Sequence, residues 1–174
     1  VSTRAIDFGK ISLRDALDVA VLMEEEAKER YAELADQMRL HHEAEIAAFF
    51  VHMSEVEARH ESHLTDRRRS IYGSERASVR REQLFDVEAP EYGEVRAGMT
   101  AREALEVAMR AEAKAYAFFD QALPQVNDTA VRALFQELRA EEAEHRELVG
   151  RRLAQLPKED DVKGSDYADD PVAH

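Results

Sequence analysis

The 174-residue chain sets 24 Lys and Arg against 37 Asp and Glu, a formal charge of −13, which argues against non-specific binding to nucleic acid or to an anionic membrane surface. It contains no cysteine, so disulfides, Cys-ligated zinc and a thiolate-held iron centre are excluded. No apolar run approaches the ~20 residues that a membrane span needs, and residues 1–10 lack the apolar stretch of a signal peptide, so a cytoplasmic protein is expected.

Glycine (6) and proline (4) are scarce, and period-two alternation is nearly absent, so an all-α domain is predicted over residues 1–157. The first helix starts after Ser12, an N-cap with Asp15 three residues on, and runs to about Leu40. The second spans about His42 to about Ser70. A long connection follows, carrying Gly73, Pro90, Gly93 and Gly98. Thr100 and Glu103 form the Thr-x-x-Glu signature of a capping box and open the third helix, which ends near Pro124. The fourth begins near Asn127 or Asp128 and runs to about Gln155. Residues 158–174 are polar and acidic without an apolar period and are expected to form a disordered or loosely docked tail.

Each helix carries one seam of residues spaced alternately by three and four. The seams are Leu13, Leu17, Ala20, Glu24, Ala27, Tyr31, Leu34, Met38; then Ile46, Phe50, Met53, Glu57, His60, Leu64; then Ala101, Leu105, Ala108, Glu112, Ala115, Phe119; and last Val131, Phe135, Leu138, Glu142, His145, Val149. Tyrosine aside, every seam is apolar except at Glu24, Glu57, His60, Glu112, Glu142 and His145. An unpaired carboxylate in a core costs several kcal/mol, and four facing one another also repel. A cation must sit among them, or several must be protonated.

Spacing puts the six at one level. Glu24 and Glu57 lie symmetrically about a midpoint between Leu40 and His41, and Glu112 and Glu142 about Asn127; both midpoints fall at predicted turns. The connection between the second and third helices is too long for a tight turn. Its roughly 28 residues can span the ~40 Å needed to return along two half-helices. A ferritin-like four-helix bundle with a long crossover follows, its second and third helices parallel. The two hairpins look like an internal duplication, because Glu24-x6-Tyr31 matches Glu112-x6-Phe119 and Glu57-x-x-His60 matches Glu142-x-x-His145.

Glu-x-x-His puts a carboxylate and an imidazole on one helix face, one turn apart. Two such pairs with one further Glu from each remaining helix can hold two metal ions. Two divalent ions would bring +4 against the −4 of the four carboxylates, so the reduced site is neutral. Oxidising both ions leaves +2, which couples metal oxidation to uptake of an oxygen-derived anion. Carboxylate and imidazole donors suit iron or manganese, and zinc would also bind.

This series of motifs resembles the rubrerythrin-like branch of the ferritin-like di-iron superfamily over about residues 12–155. The resemblance implies two iron sites, one from Glu24, Glu57 and Glu142 with His60, the other from Glu57, Glu112 and Glu142 with His145. It also implies that Tyr31 hydrogen-bonds a ligand carboxylate. Two features depart from the family pattern: Ala115 stands where rubrerythrins carry a further Glu, and there is no Cys-rich rubredoxin domain, so electrons would come from an external donor.

The expected function is reduction of hydrogen peroxide or O2 at a 4-Glu/2-His di-iron site. The alternatives are a ferroxidase that oxidises Fe(II) for storage and a non-catalytic metal-binding bundle. Val19, Leu22, Phe49, Val56, Leu123 and Leu134 lie outside the seams and predict a second buried face, as in a homodimer. His41, His42, His52, His63 and His174 are expected to be solvated. The same is expected of Glu25, Glu26, Glu29, Glu55, Glu61, Glu141, Glu144, Glu147, Arg80 and Arg81.

Overall fold

A computed structural model describes residues 6–79, 81 and 97–157. Four long helices account for most of them: α1 Leu13–Leu40, α2 Ala44–Tyr72, α3 Ala101–Ala122 and α4 Thr129–Ala154, with a 3-10 turn at Leu123–Gln125. There is no strand among the described residues. The expected acidic tail and most of the crossover lie outside them.

The helix starts follow their capping chemistry. Ser12 accepts the Asp15 N–H. Thr100 and Glu103 close the predicted capping box, Glu103 N–H donating to Thr100 at 3.2 Å and Thr100 N–H to the Glu103 carboxylate at 2.8 Å. The Asp128 carboxylate accepts from both Ala130 and Val131 N–H. α1 ends in a Schellman arrangement, with Glu43 N–H donating to Met38 C=O at 2.9 Å and His42 N–H to Arg39 C=O at 3.2 Å. The left-handed position that this turn requires is held by His42 at φ 61°, where glycine is the usual choice.

α1 packs against α2, and α3 against α4, as two antiparallel hairpins. Long-range contacts fix how they assemble. Gly98 N–H, just before α3, donates to His41 Nε2 in the α1–α2 turn at 3.2 Å, and Arg152 near the end of α4 reaches Glu45 at the start of α2. At the far end Asn127, before α4, donates to Gly9 C=O, before α1. Therefore α2 and α3 start at the same end and run parallel, as a crossover requires. His41 is exposed, as expected, and its ring also docks the end of that crossover.

The start of the crossover is clamped to α1. Asp18 is buried, ion-paired with Arg68 of α2 and hydrogen-bonded by the Ser78 backbone and hydroxyl. Arg81 bridges Glu26 and Glu29 at 2.9 and 2.5 Å, so it is a tether rather than a merely exposed charge. Arg80 lies outside the described residues.

The apolar interior forms two clusters. One gathers Leu17, Ala20, Met23, Leu64, Phe119, Phe135 and Leu138. The other gathers Tyr31, Leu34, Met38, Phe50, Met53, Leu105, Ala108 and Val149. Along every helix the seam Glu or Glu/His pair falls between the two, so a polar layer divides the core. Each fully buried Leu or Phe contributes roughly 1.5–3 kcal/mol, and the two clusters hold the intervening layer in place. Residues 6–12 cover the end of the first cluster, with the Phe8 ring 5.4 Å from Phe118 and 6.3 Å from Phe135. Of the six apolar residues outside the seams, Val19, Leu123 and Leu134 are buried within this core, and Leu22, Phe49 and Val56 are partly covered. The chain's own core therefore absorbs half of that set.

Candidate metal centre

All six seam residues meet in the polar layer. Glu24, Glu57, Glu112, Glu142 and His145 are buried, with at most 7% exposure, and His60 is partly buried. The His60 and His145 rings stack face to face with centroids 5.3 Å apart. His145 Nδ1 lies 3.1 Å from Glu57, 3.4 Å from Glu112 and 3.8 Å from Glu142. His60 Nδ1 lies 3.7 Å from Glu24, 3.9 Å from Glu57 and 3.9 Å from Glu141. Glu57 thus faces both imidazoles from between them.

Glu141 was expected on a solvated face. It is half-buried and joins Glu24 and His60 in one of three groups whose candidate ligand atoms all lie within 4.8 Å of one another; the others are Glu57, His60, His145 and Glu112, Glu142, His145. A seam position says which residue points at the bundle axis. It does not say whether the residue beside it turns outward or toward a neighbouring helix.

Tyr31 is 2% exposed and its hydroxyl donates to Glu112 Oε1 at 2.5 Å. The carboxylate it bonds therefore belongs to α3, not to its own helix, where Glu24 lies two turns away on the same face. Phe119, the counterpart of Tyr31 in the duplication, is core packing. Alanines at 20, 27, 108 and 115 flank Glu24 and Glu112 along their seams and put no bulk beside the carboxylates.

The electrostatics follow from this crowding. Burial, reinforced by Glu57 and Glu141, raises the Glu24 carboxyl well above its ordinary range. Burial with the Glu112 charge does the same to Glu142. Burial also raises Glu112, but His145, Glu142 and Tyr31 outweigh it and hold that carboxylate low. His145 is penalised by burial, yet Glu112 and Glu57 push it up to about 10. His60, with less carboxylate around it, is shifted down by burial. Glu141 is raised by burial and by Glu137. Burial and the Glu112 charge hold Tyr31 well above its ordinary value, so its proton stays on the phenol oxygen.

Metal ions fit this donor set. Glu24 Oε2 and His60 Nδ1 are buried without a hydrogen-bond partner, and Glu57 Oε1 and His145 Nδ1 are in ion-pair contact at 3.1 Å. An unpartnered buried group costs about 1–3 kcal/mol, and all four atoms lie in the same layer. Two ligand atoms each ~2.1 Å from one ion stand about 3.0 Å apart at a right angle and about 4.2 Å apart in line; the spread of 3.1–3.9 Å between the imidazole nitrogens and the carboxylates falls in that range. Nitrogen and oxygen donors without sulfur match iron, manganese or zinc.

The family model of Rubrerythrin matches residues 15–163, a span that takes in nearly all of the four helices and every candidate ligand. The chain belongs to the rubrerythrin family. Among solved structures, this rubrerythrin-family chain is similar to an uncharacterized conserved protein from Magnetospirillum magnetotacticum MS-1, with a TM-score of 0.72 and 29% identity over 85% of this chain and 97% of the other. No curated protein matches it. The ferritin-like fold read from the seams and the crossover is thereby borne out. No helix among the described residues is long and apolar enough to cross a membrane.

Proposed function

We propose that this protein is a non-haem di-iron oxidoreductase that reduces hydrogen peroxide or O2, with electrons supplied by an external donor. One observation carries the reading: two opposed Glu/His groups meet across stacked imidazoles in a buried layer, where Glu24 Oε2 and His60 Nδ1 lack hydrogen-bond partners. Glu24, Glu57, Glu112 and Glu142 with His60 and His145 would hold the two ions. When bound, they would supply the paired one-electron couples that reduction of a peroxide or dioxygen bond requires.

The protein's own groups prepare that chemistry. Four carboxylates neutralise two divalent ions, so the loaded site is compatible with its apolar surroundings. Tyr31 fixes the orientation of Glu112 and keeps its proton at Oη. His145 must lose its proton to become a ligand, so loading releases protons and strengthens as pH rises. The clusters above and below the layer exclude bulk water. The His60 side is more open, with that side chain 22% exposed and Glu141 31% exposed. This opening favours the second reading, a ferroxidase in which Fe(II) is itself a substrate that comes and goes.

The deciding experiment is metal content per chain, with optical spectra of the reduced protein before and after hydrogen peroxide. Two irons per chain and a new ferric absorption that decays only when a reductant is added support a peroxidase. Repeated oxidation of added Fe(II) with release of ferric product supports a ferroxidase. Metal that keeps its oxidation state on peroxide addition rejects both. Glu57→Ala should abolish stoichiometric di-metal binding while leaving the helices folded, because it also relieves carboxylate repulsion.

A further inference from the structure

The two halves of the metal layer are not equivalent. Around His145 all carboxylates are sealed, with Glu57, Glu112 and Glu142 each at most 7% exposed. Around His60 the third carboxylate is not Glu142, as the family resemblance implies, but its neighbour Glu141, whose Oε2 lies 3.9 Å from His60 Nδ1. Glu142 instead groups with Glu112 and His145. On the His60 side, Glu24 is 3% exposed and its Oε2, 3.7 Å from His60 Nδ1, has no hydrogen-bond partner, and His60 Nδ1 has none either. A buried carboxylate oxygen and an imidazole nitrogen, both unpartnered and both aimed at the same point as Glu141, mark a place for a cation.

We propose that Glu141 is a fifth carboxylate ligand, completing the His60-side position for a divalent first-row ion with Glu24, Glu57 and His60. This rests on the di-metal reading above and adds an asymmetry to it. The His145-side ion is enclosed and held by buried groups. The His60-side ion is bound partly by a side chain in contact with solvent, and it is the one that loads last and exchanges.

The test is a titration of the metal-free protein with Mn(II) under anaerobic conditions, read by isothermal calorimetry and by the loss of the free Mn(II) electron paramagnetic resonance signal. Wild type, Glu141→Ala, Glu141→Gln and Glu144→Ala are compared; Glu144 is exposed on the same helix and serves as the control. The expected result is two ions per chain for wild type and Glu144→Ala. Both Glu141 variants should bind one ion with wild-type affinity and the second at least about tenfold more weakly, since removing even an indirect supporter of a ligand costs about 10–100-fold. Gln keeps the shape of Glu without its charge, so the same loss in both variants separates ligation from packing. If wild type binds two ions and both Glu141 variants bind two with unchanged affinities, Glu141 is not a ligand and the four-glutamate site stands. If wild type binds none, the di-metal reading falls and this assignment falls with it.

Discussion

Replacing Tyr31 by Phe removes one oxygen atom from a fully packed position and leaves the ring contacts in place, including that with Phe50 at 6.0 Å between centroids. The lost interaction is a 2.5 Å hydrogen bond to a buried carboxylate whose charged form is favoured. A hydrogen bond to a charged partner contributes about 1.5–3 kcal/mol, and the variant leaves Glu112 Oε1 without that donor. A loss of about 2 kcal/mol from the metal-free protein is expected, a fall in Tm of about 4–8 °C for a domain of this size. The assay is thermal unfolding followed by circular dichroism at 222 nm, on metal-free and metal-loaded protein. The loss should shrink when metal is bound, because ions then satisfy Glu112. Metal stoichiometry should stay at two, while the rate of metal oxidation by peroxide changes. A metal-free Tyr31→Phe protein that melts within about 1 °C of wild type would show that packing alone places this ring, and the assignment of Tyr31 as the anchor of Glu112 would fall.

Stability of the metal-free protein should decline as pH rises from about 6.5 to 10. Over that window the folded state binds more protons than the unfolded one, because Glu24 and Glu142 are raised well above their ordinary range and His145 up to about 10. The stability those groups contribute is fully present below their unfolded pKa values and is lost as pH passes through the folded ones. His60 and Glu112 are shifted down and act only at lower pH. Denaturant midpoints at pH 7 and 9 in the presence of a chelator check this, and a metal-free protein more stable at the higher pH would contradict it; with Mn(II) bound the trend should reverse. In the α1–α2 turn, His42→Gly should stabilise the protein by about 1 kcal/mol, since a side chain at φ 61° is disfavoured where glycine is not. Urea denaturation reads that gain, and a loss would mean that the imidazole has a structural role in the turn.

Much of this protein was legible along each helix taken alone. The 3.6-residue period told which residues share a face, so the seams, the six polar interruptions and their common level could be read before any packing was known. Caps at Ser12, Thr100 and Asp128 follow from local chemistry and appear where the sequence puts them. The crossover followed from chain length, and the His41–Gly98 and Asn127–Gly9 contacts bear out its direction. What periodicity cannot supply is how far each helix is rotated against its neighbours and what covers its flanks. That rotation turns Glu141 toward His60 while Glu142 serves His145, and brings Tyr31 to Glu112 on another helix rather than to Glu24 on its own. It buries Val19, Leu123 and Leu134 within the chain, and the docked segment around Phe8 closes one end of the core. The six candidate ligands on the seams are therefore a property of the sequence, because burying a carboxylate is costly wherever the helix goes. Their division into one sealed and one open half is a property of the tertiary structure, because it depends on how the helices are rotated against one another, which no single helix encodes.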